Sequence, residues 1–117
     1  MVSNDRCLFC RIASGEIAAK KVHEDADVVA FEDINPQAPT HVLVVPRKHI
    51  PSLDDLTDAD ANVIGTVLTR AAQIARDLHL ESDGYRLVIN NGEAAGQTVF
   101  HIHFHILGGR NFGWPPG

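Results

Sequence analysis

Residues 100 to 109 read FHIHFHILGG, with histidines at alternate positions, His101, His103 and His105, and apolar residues between them. In an extended strand, alternation sends Phe100, Ile102, Phe104 and Ile106 to one face and the three histidines to the other. A solvated strand face is usually built from Thr, Lys, Glu or Ser. Here three of the chain's seven histidines fall within five residues, a poor match to a wet face. Distance limits a metal reading: at ~3.3 Å per residue the Cα atoms of His101 and His105 stand about 13 Å apart. One ion with bonds of ~2 Å does not easily hold all three, although neighbours at i and i+2 could share one. The row is long enough to line the phosphate chain of a nucleotide. Neutral imidazole is a good nucleophile toward phosphorus, and an ordinary pKa of ~6.5 keeps a useful fraction unprotonated near neutrality. Flanking histidines can donate hydrogen bonds to non-bridging oxygens. Just upstream lies a Gly-rich turn, NGEAAGQT, in which Gly92 and Gly96 let backbone N–H groups approach an anion. Gln97 and Thr98 add side-chain donors there.

A second chemical pattern is Cys7-x-x-Cys10. Two thiols this close do not staple a fold in the usual way. They suit a reducing compartment as free thiols, half of a metal site or a redox pair. A redox pair usually follows a strand and opens a helix, whereas this pair has no strand before it.

The elements that must position these residues follow from periodicity and punctuation. CLFCRIASGEI suggests a short helix with Leu8, Phe9 and Ile12 on a shared face, ended by Gly15. VHEDADVVAFED predicts a hairpin turning at Asp25–Asp27, and INPQAPT a proline-fixed loop. HVLVVPR is apolar on both sides, as a central, covered strand requires. A long helix is expected from Thr57, with Asp60 completing a capping-box-like pair. Ile64, Val67, Leu68, Ala71, Ile74, Ala75 and Leu78 form its apolar stripe, and Asp83-Gly84 breaks it. YRLVINN and FHIHFHIL are the fourth and fifth strands. Strands in hairpin-like succession with helices between them indicate an α+β domain on an antiparallel sheet.

Composition narrows the function classes. At 117 residues the chain is one domain's worth, and 44% apolar with 21% charged residues is ordinary for a soluble protein. A net charge of -5 argues against binding a nucleic-acid backbone as the main activity, without excluding a small anionic ligand. No apolar run approaches the ~20 residues of a membrane span, and MVSNDRCLFC lacks the features of a signal peptide. The expected location is cytoplasmic.

At HIHFHIL, residues 101 to 107, the sequence resembles the histidine-triad (HIT) superfamily, whose motif is His-φ-His-φ-His-φ-φ. The resemblance runs from CLFCRIASGEI through FEDINPQAPTHVLVVPRKHI and GYRLVINNGEAAGQTVFHIHFHILGG to WPPG. DINPQAPTH and WPPG point to the Hint branch, the purine nucleoside phosphoramidases. The resemblance implies a five-stranded antiparallel sheet with one long and one short helix, residues 1–117 forming one HIT domain. It also implies a two-fold dimer that joins the sheets, with the tail 109–117 reaching toward the partner.

By the same resemblance, His103 is the nucleophile that attacks the α-phosphorus of an adenosine or guanosine 5′-phosphoramidate; water then releases the nucleotide. His105 and His101 are the flanking residues and His41 the fourth histidine. Asp33 is the ribose carboxylate, and Phe9, Ile12, Ile17, Phe31 and Ile34 are the purine walls. Asn90, Gly96, Gln97 and Thr98 are the sugar and phosphate loop, and Trp114 belongs to an interface or pocket. Cys7, Cys10, His49 and His101 resemble the structural zinc ligands of many bacterial relatives, which would make His101 structural. Two departures stand out: Ala18 where many relatives carry proline, and His23 where an aromatic is common. Three other readings are a dinucleoside polyphosphate hydrolase, disfavoured by WPPG, a purine-nucleotide-binding regulator with little turnover, and a zinc-stabilised interaction module.

Overall fold

The computed structural model describes residues 4–117. Five strands, β1 (Lys21–Glu24), β2 (Val28–Glu32), β3 (Thr40–Pro46), β4 (Tyr85–Val88) and β5 (Phe104–Gly108), form one sheet. Their order is β1-β2-β3-β5-β4 and every pairing is antiparallel. Two helices accompany it, α1 (Leu8–Ala13) and α2 (Ala61–Asp77).

The centre of the sheet is β3, as its two-sided apolarity requires. Val42 and Val44 pack with Val67, Ala71, Ile74 and Ala75 of α2 on one face. Leu43 and Val45 pack with Phe9, Cys10, Ile12 and Ala13 of α1 on the other. Each such fully buried Val, Leu or Ile side chain contributes roughly 1.5–3 kcal/mol of transfer free energy. The sheet therefore separates two cores, and the shorter helix covers the face that carries the cysteines. Leu8 lies outside that core at 44% exposure. The apolar face of α1 is made instead by Phe9, Cys10, Ile12 and Ala13.

Thr57 and Asp60 form the expected capping box: the Thr57 N–H donates to the Asp60 carboxylate at 3.0 Å, one 3₁₀ turn before α2. Lys48 secures the same carboxylate at 2.7 Å. The helix stops earlier than Asp83-Gly84. His79 takes a left-handed φ of 61°, and the Leu80 N–H turns back to the Ala75 carbonyl at 2.9 Å. This is a helix-ending arrangement that glycine usually makes. Leu80 is thereby buried against Gly108 of β5, where an added Cβ would stand 2.7 Å from the leucine.

His23 is explained by its partner. Its ring bonds Asp25 at 2.7 Å, and Arg70 of α2 reaches the same oxygen at 2.9 Å, pinning the β1–β2 hairpin to the helix. Among the described residues no helix is long and apolar enough to cross a membrane.

The histidine segment departs from simple strand alternation. The ladder of β5 begins at Phe104, so His101 and His103 precede it. The Ile102 N–H bonds the Ile50 carbonyl at 2.7 Å rather than a sheet neighbour. Phe100, expected in the core, is 50% exposed, because the chain has already left the sheet there. Ile102, Phe104 and Ile106 are buried with α2 as alternation predicts.

Candidate active site

On the α1 face of the sheet lies a cavity of about 570 Å³. Phe9, Ile12, Ile17 and Phe31 line it, with Asp33 and Ile34 at the turn after β2. Gly96, Thr98 and Val99 form a further wall, and His103 and His105 face it. Its size and mixed lining suit a small organic ligand.

His103 is held in one tautomer. Its Nδ1–H donates to the main-chain carbonyl of His101 at 2.7 Å, so Nε2 carries the free lone pair. The Phe9 ring meets it edge-to-face, with centroids 5.0 Å apart. Burial pushes the His103 pKa down, against the raising effects of the His101 carbonyl and the Asp33 charge. The imidazole is therefore neutral at pH 7.

A hydrogen-bond line fixes the next ring. The Gln37 backbone N–H, which can only donate, bonds His41 Nδ1 at 3.0 Å. The His41 proton must therefore sit on Nε2, which donates to His105 Nδ1 at 2.8 Å and lies 3.4 Å from the Asp33 carboxylate. His105 in turn carries its proton on Nε2. That atom is buried and has no partner. Among the described residues it shares this state only with Arg11 Nε, which stands 3.4 Å from Glu16. An unmade hydrogen bond of this kind costs about 1–3 kcal/mol. Burial, then the neighbouring His103 and His41, push His105 down to about 4, against the raising effect of Asp33. It too is neutral at pH 7.

Asp33 serves its turn and faces the cavity: one carboxylate oxygen accepts from the Asn35 N–H at 2.8 Å. In the Gly-rich loop, Gly96 takes a φ of 102°, which a side chain would strain. Gln97 corrects the expectation of a free donor. Its amide NH₂ bonds the carbonyls of Pro51 and Val99 at 2.8 and 3.1 Å, and its Oε1 accepts from Gly92 N–H at 2.9 Å. Gln97 thus shapes the loop from within, while Gly96 and Thr98 reach the cavity wall. Asn90 stands behind Gly96 and off that wall. Trp114 is 85% exposed and also lies away from the cavity.

His101 belongs to a different group. Fully buried, it donates Nε2–H to the Pro46 carbonyl at 2.7 Å and turns Nδ1 toward Cys7 and Cys10 at 3.3 and 3.5 Å. Cys10 Sγ also lies 3.4 Å from His49 Nδ1. The four donor atoms lie within 4.8 Å of one another and could hold a metal ion. The fit extends beyond spacing. The Pro46 bond fixes the His101 tautomer with its lone pair toward the sulfurs, as a carbonyl behind a ligating imidazole does. Two sulfurs and two imidazoles are a donor set suited to tetrahedral zinc.

Leu43, Val99, Lys20 and Glu32 line the cavity without having been singled out from the sequence. The pairing of Leu43 with His105 across β3 and β5 explains one of them. Gln37 acts through its main chain and leaves no side-chain signal.

Comparison with known proteins agrees with this fold. The HIT domain family matches residues 14–112. An uncharacterized HIT-like protein of Synechocystis is 52% identical over 110 residues, 94% of this chain and 96% of that one. The structure of a HIT family hydrolase from Legionella pneumophila superposes with a TM-score of 0.94 at 51% identity, covering 96% of this chain and all of the other. A histidine triad nucleotide-binding protein from Candida albicans gives 0.80 at 33% identity, over 95% of this chain and 84% of that one. A five-stranded antiparallel sheet with this histidine row defines a class of fold and site. The chain belongs to the HIT family.

Proposed function

We propose that the protein is a nucleotidyl hydrolase that cleaves the P–N bond of adenosine or guanosine 5′-phosphoramidates. The observation that carries this reading is the pair of fixed tautomers: a free lone pair on His103 Nε2 beside an unpartnered N–H on His105 Nε2. In the first step Nε2 of His103 bonds to the α-phosphorus and the P–N bond breaks. The departing nitrogen keeps the bonding electrons and takes a proton from solvent. The His105 N–H meets a non-bridging oxygen as charge develops there, where such a donor acts most strongly. Water then attacks phosphorus, gives up a proton to solvent, and frees His103 with release of AMP or GMP. His41 orients His105, while Asp33 accepts from the ribose hydroxyls. The purine lies among Phe9, Ile12, Ile17, Phe31 and Ile34, and Gly96 and Thr98 face the phosphate with Asn90 behind them.

Cys7, Cys10, His49 and His101 would hold zinc, which would supply a crosslink between α1 and the segments around residues 49 and 101. Such thiol ligands suit the reducing cytoplasm. Two copies would join through the exposed edge of β4, where Tyr85 and Leu87 are solvent-facing, with Trp114 reaching the partner's site. The Legionella relative is described as a hydrolase and the Candida one as nucleotide-binding, in keeping with this reading.

Steady-state turnover of adenosine 5′-phosphoramidate against diadenosine polyphosphate tests it. The phosphoramidate is expected to be the better substrate, and His103→Ala to lose at least about 10³-fold in kcat. Preference for the dinucleotide would assign the other hydrolytic branch. Tight nucleotide binding with no turnover of either would make the protein a regulator.

A further inference from the structure

The hydrogen-bond line that ends at His105 begins outside the cavity. Gln37 gives its N–H to His41, and its carbonyl accepts from Arg110 Nε at 3.1 Å. The same guanidinium donates to the Asn111 carbonyl at 3.0 Å and lies over the Phe112 ring, 4.3 Å from its centroid. Arg86 of β4 approaches that ring too, at 5.3 Å, and donates to the Gly113 carbonyl at 2.9 Å. Among the described residues neither arginine has a carboxylate partner, so these are not surface ion pairs. They bond carbonyls and share an aromatic ring, an arrangement that holds backbone in place.

The chain after β5 is also pressed against the loop that carries Gln37. At Gly109, where φ is 88°, an added Cβ would stand 2.8 Å from Pro39. The Gln37 side chain closes the loop on itself by donating to the Asn35 carbonyl at 3.0 Å. Arg110 thus grips the carbonyl of the residue whose N–H sets the His41 tautomer.

We propose that Arg110 is a positioning residue for the reaction. From a guanidinium set over the Phe112 ring it holds Gln37, keeps the Gln37 N–H on His41 Nδ1, and so keeps the His105 proton on Nε2, the nitrogen without a partner. Arg86 supports the same ring from the sheet edge. The effect on turnover rests on the reading of His105 as the donor to phosphoryl oxygen. The tautomer link does not.

The test pairs kinetics with side-chain ¹⁵N–¹H correlation spectra of the histidines in the substrate-free protein. For Arg110→Ala, the His105 signals are expected to move from one Nε2–H tautomer to a mixture. The kcat for adenosine 5′-phosphoramidate should fall about tenfold with KM within about twofold, as for loss of a residue orienting a reacting group. The melting temperature should stay within a few degrees, because the side chain is on the surface. Arg110→Lys, which keeps a donor but loses the guanidinium over the ring, and Phe112→Ala should shift spectrum and kcat in the same direction by less. If Arg110→Ala did not fold, these two variants would carry the test. An unchanged His105 tautomer in every folded variant overturns the proposal, and so does a rise in KM at constant kcat. If the wild type hydrolysed no phosphoramidate, the proposed function would fall, while the tautomer shift would still decide the link from Arg110 to His105.

Discussion

Two clusters flank His103, and they differ in how completely they are satisfied. On one side, Cys7, Cys10, His49 and His101 converge on each other, and the remaining nitrogen of His101 is bonded to Pro46. On the other, Asp33, His41 and His105 also converge, yet the line of bonds ends on an N–H with no acceptor. A closed set of donors is what a structural site needs. A set that leaves one N–H unpaired on a residue beside a cavity suits a catalytic site, where a ligand would supply the missing partner. His103 connects them: its main-chain acceptor comes from the residue of the closed cluster, and its ring lies 5.1 Å from that of the open one. On the proposed reading, one end of the histidine row serves stability and the other serves chemistry.

The contrast is sharpest for His105. Its replacement by alanine removes the open donor and is expected to lower kcat by about 10²-fold with little change in melting temperature, as for loss of one donor to a developing oxyanion. A wild-type kcat in that variant would break the assignment. The closed cluster should respond in the opposite manner. Cys10→Ser, or removal of metal by a chelator, should lower the melting temperature by about 10 °C and reduce zinc measured in the purified protein. Protein that carries no zinc and melts identically with and without chelator would leave the four residues as packing alone.

A smaller effect is expected from pH. The unfolded chain protonates His105 near pH 6.5, whereas in the folded protein burial delays this to about 4. The folded state therefore binds fewer protons between those values. The stability tied to His105 is complete above about pH 6.5 and is lost as pH falls through about 4. Melting temperatures measured across this window should decline more gently for His105→Gln than for wild type; equal slopes would remove His105 from the acid response.

Much of this arrangement was legible in the residues, for identifiable reasons. A strand that is apolar on both faces belongs at the centre of a sheet, and β3 lies there. Thr57 and Asp60 marked the start of α2 because a capping box needs those side chains at that spacing. His41 and His105 meet because β3 and β5 pair, with His41 opposite Leu107 and Leu43 opposite His105. What was not legible lies in the main chain. Ile102 bonds the Ile50 carbonyl, so the segment leaves the ladder, exposes Phe100 and carries His101 to the cysteines. Alternation assumes a continuous strand and misses that exit. The N–H of Gln37 decides a histidine tautomer, and every non-proline residue has an N–H. Gln97 carries the side chain of a ligand donor, but only the folded loop reveals that its amide is already used.

On the proposed reading, Nε2 of His103, between the two clusters, is the atom that bonds phosphorus. Rapid quenching of a single turnover of adenosine 5′-phosphoramidate, followed by peptide mapping under conditions that preserve phosphoramidate bonds, tests it most directly. A nucleotidyl group is expected on His103 alone, rising and decaying within the turnover and missing from His103→Ala. Turnover that proceeds without any adduct, or with the adduct on His105, would contradict it.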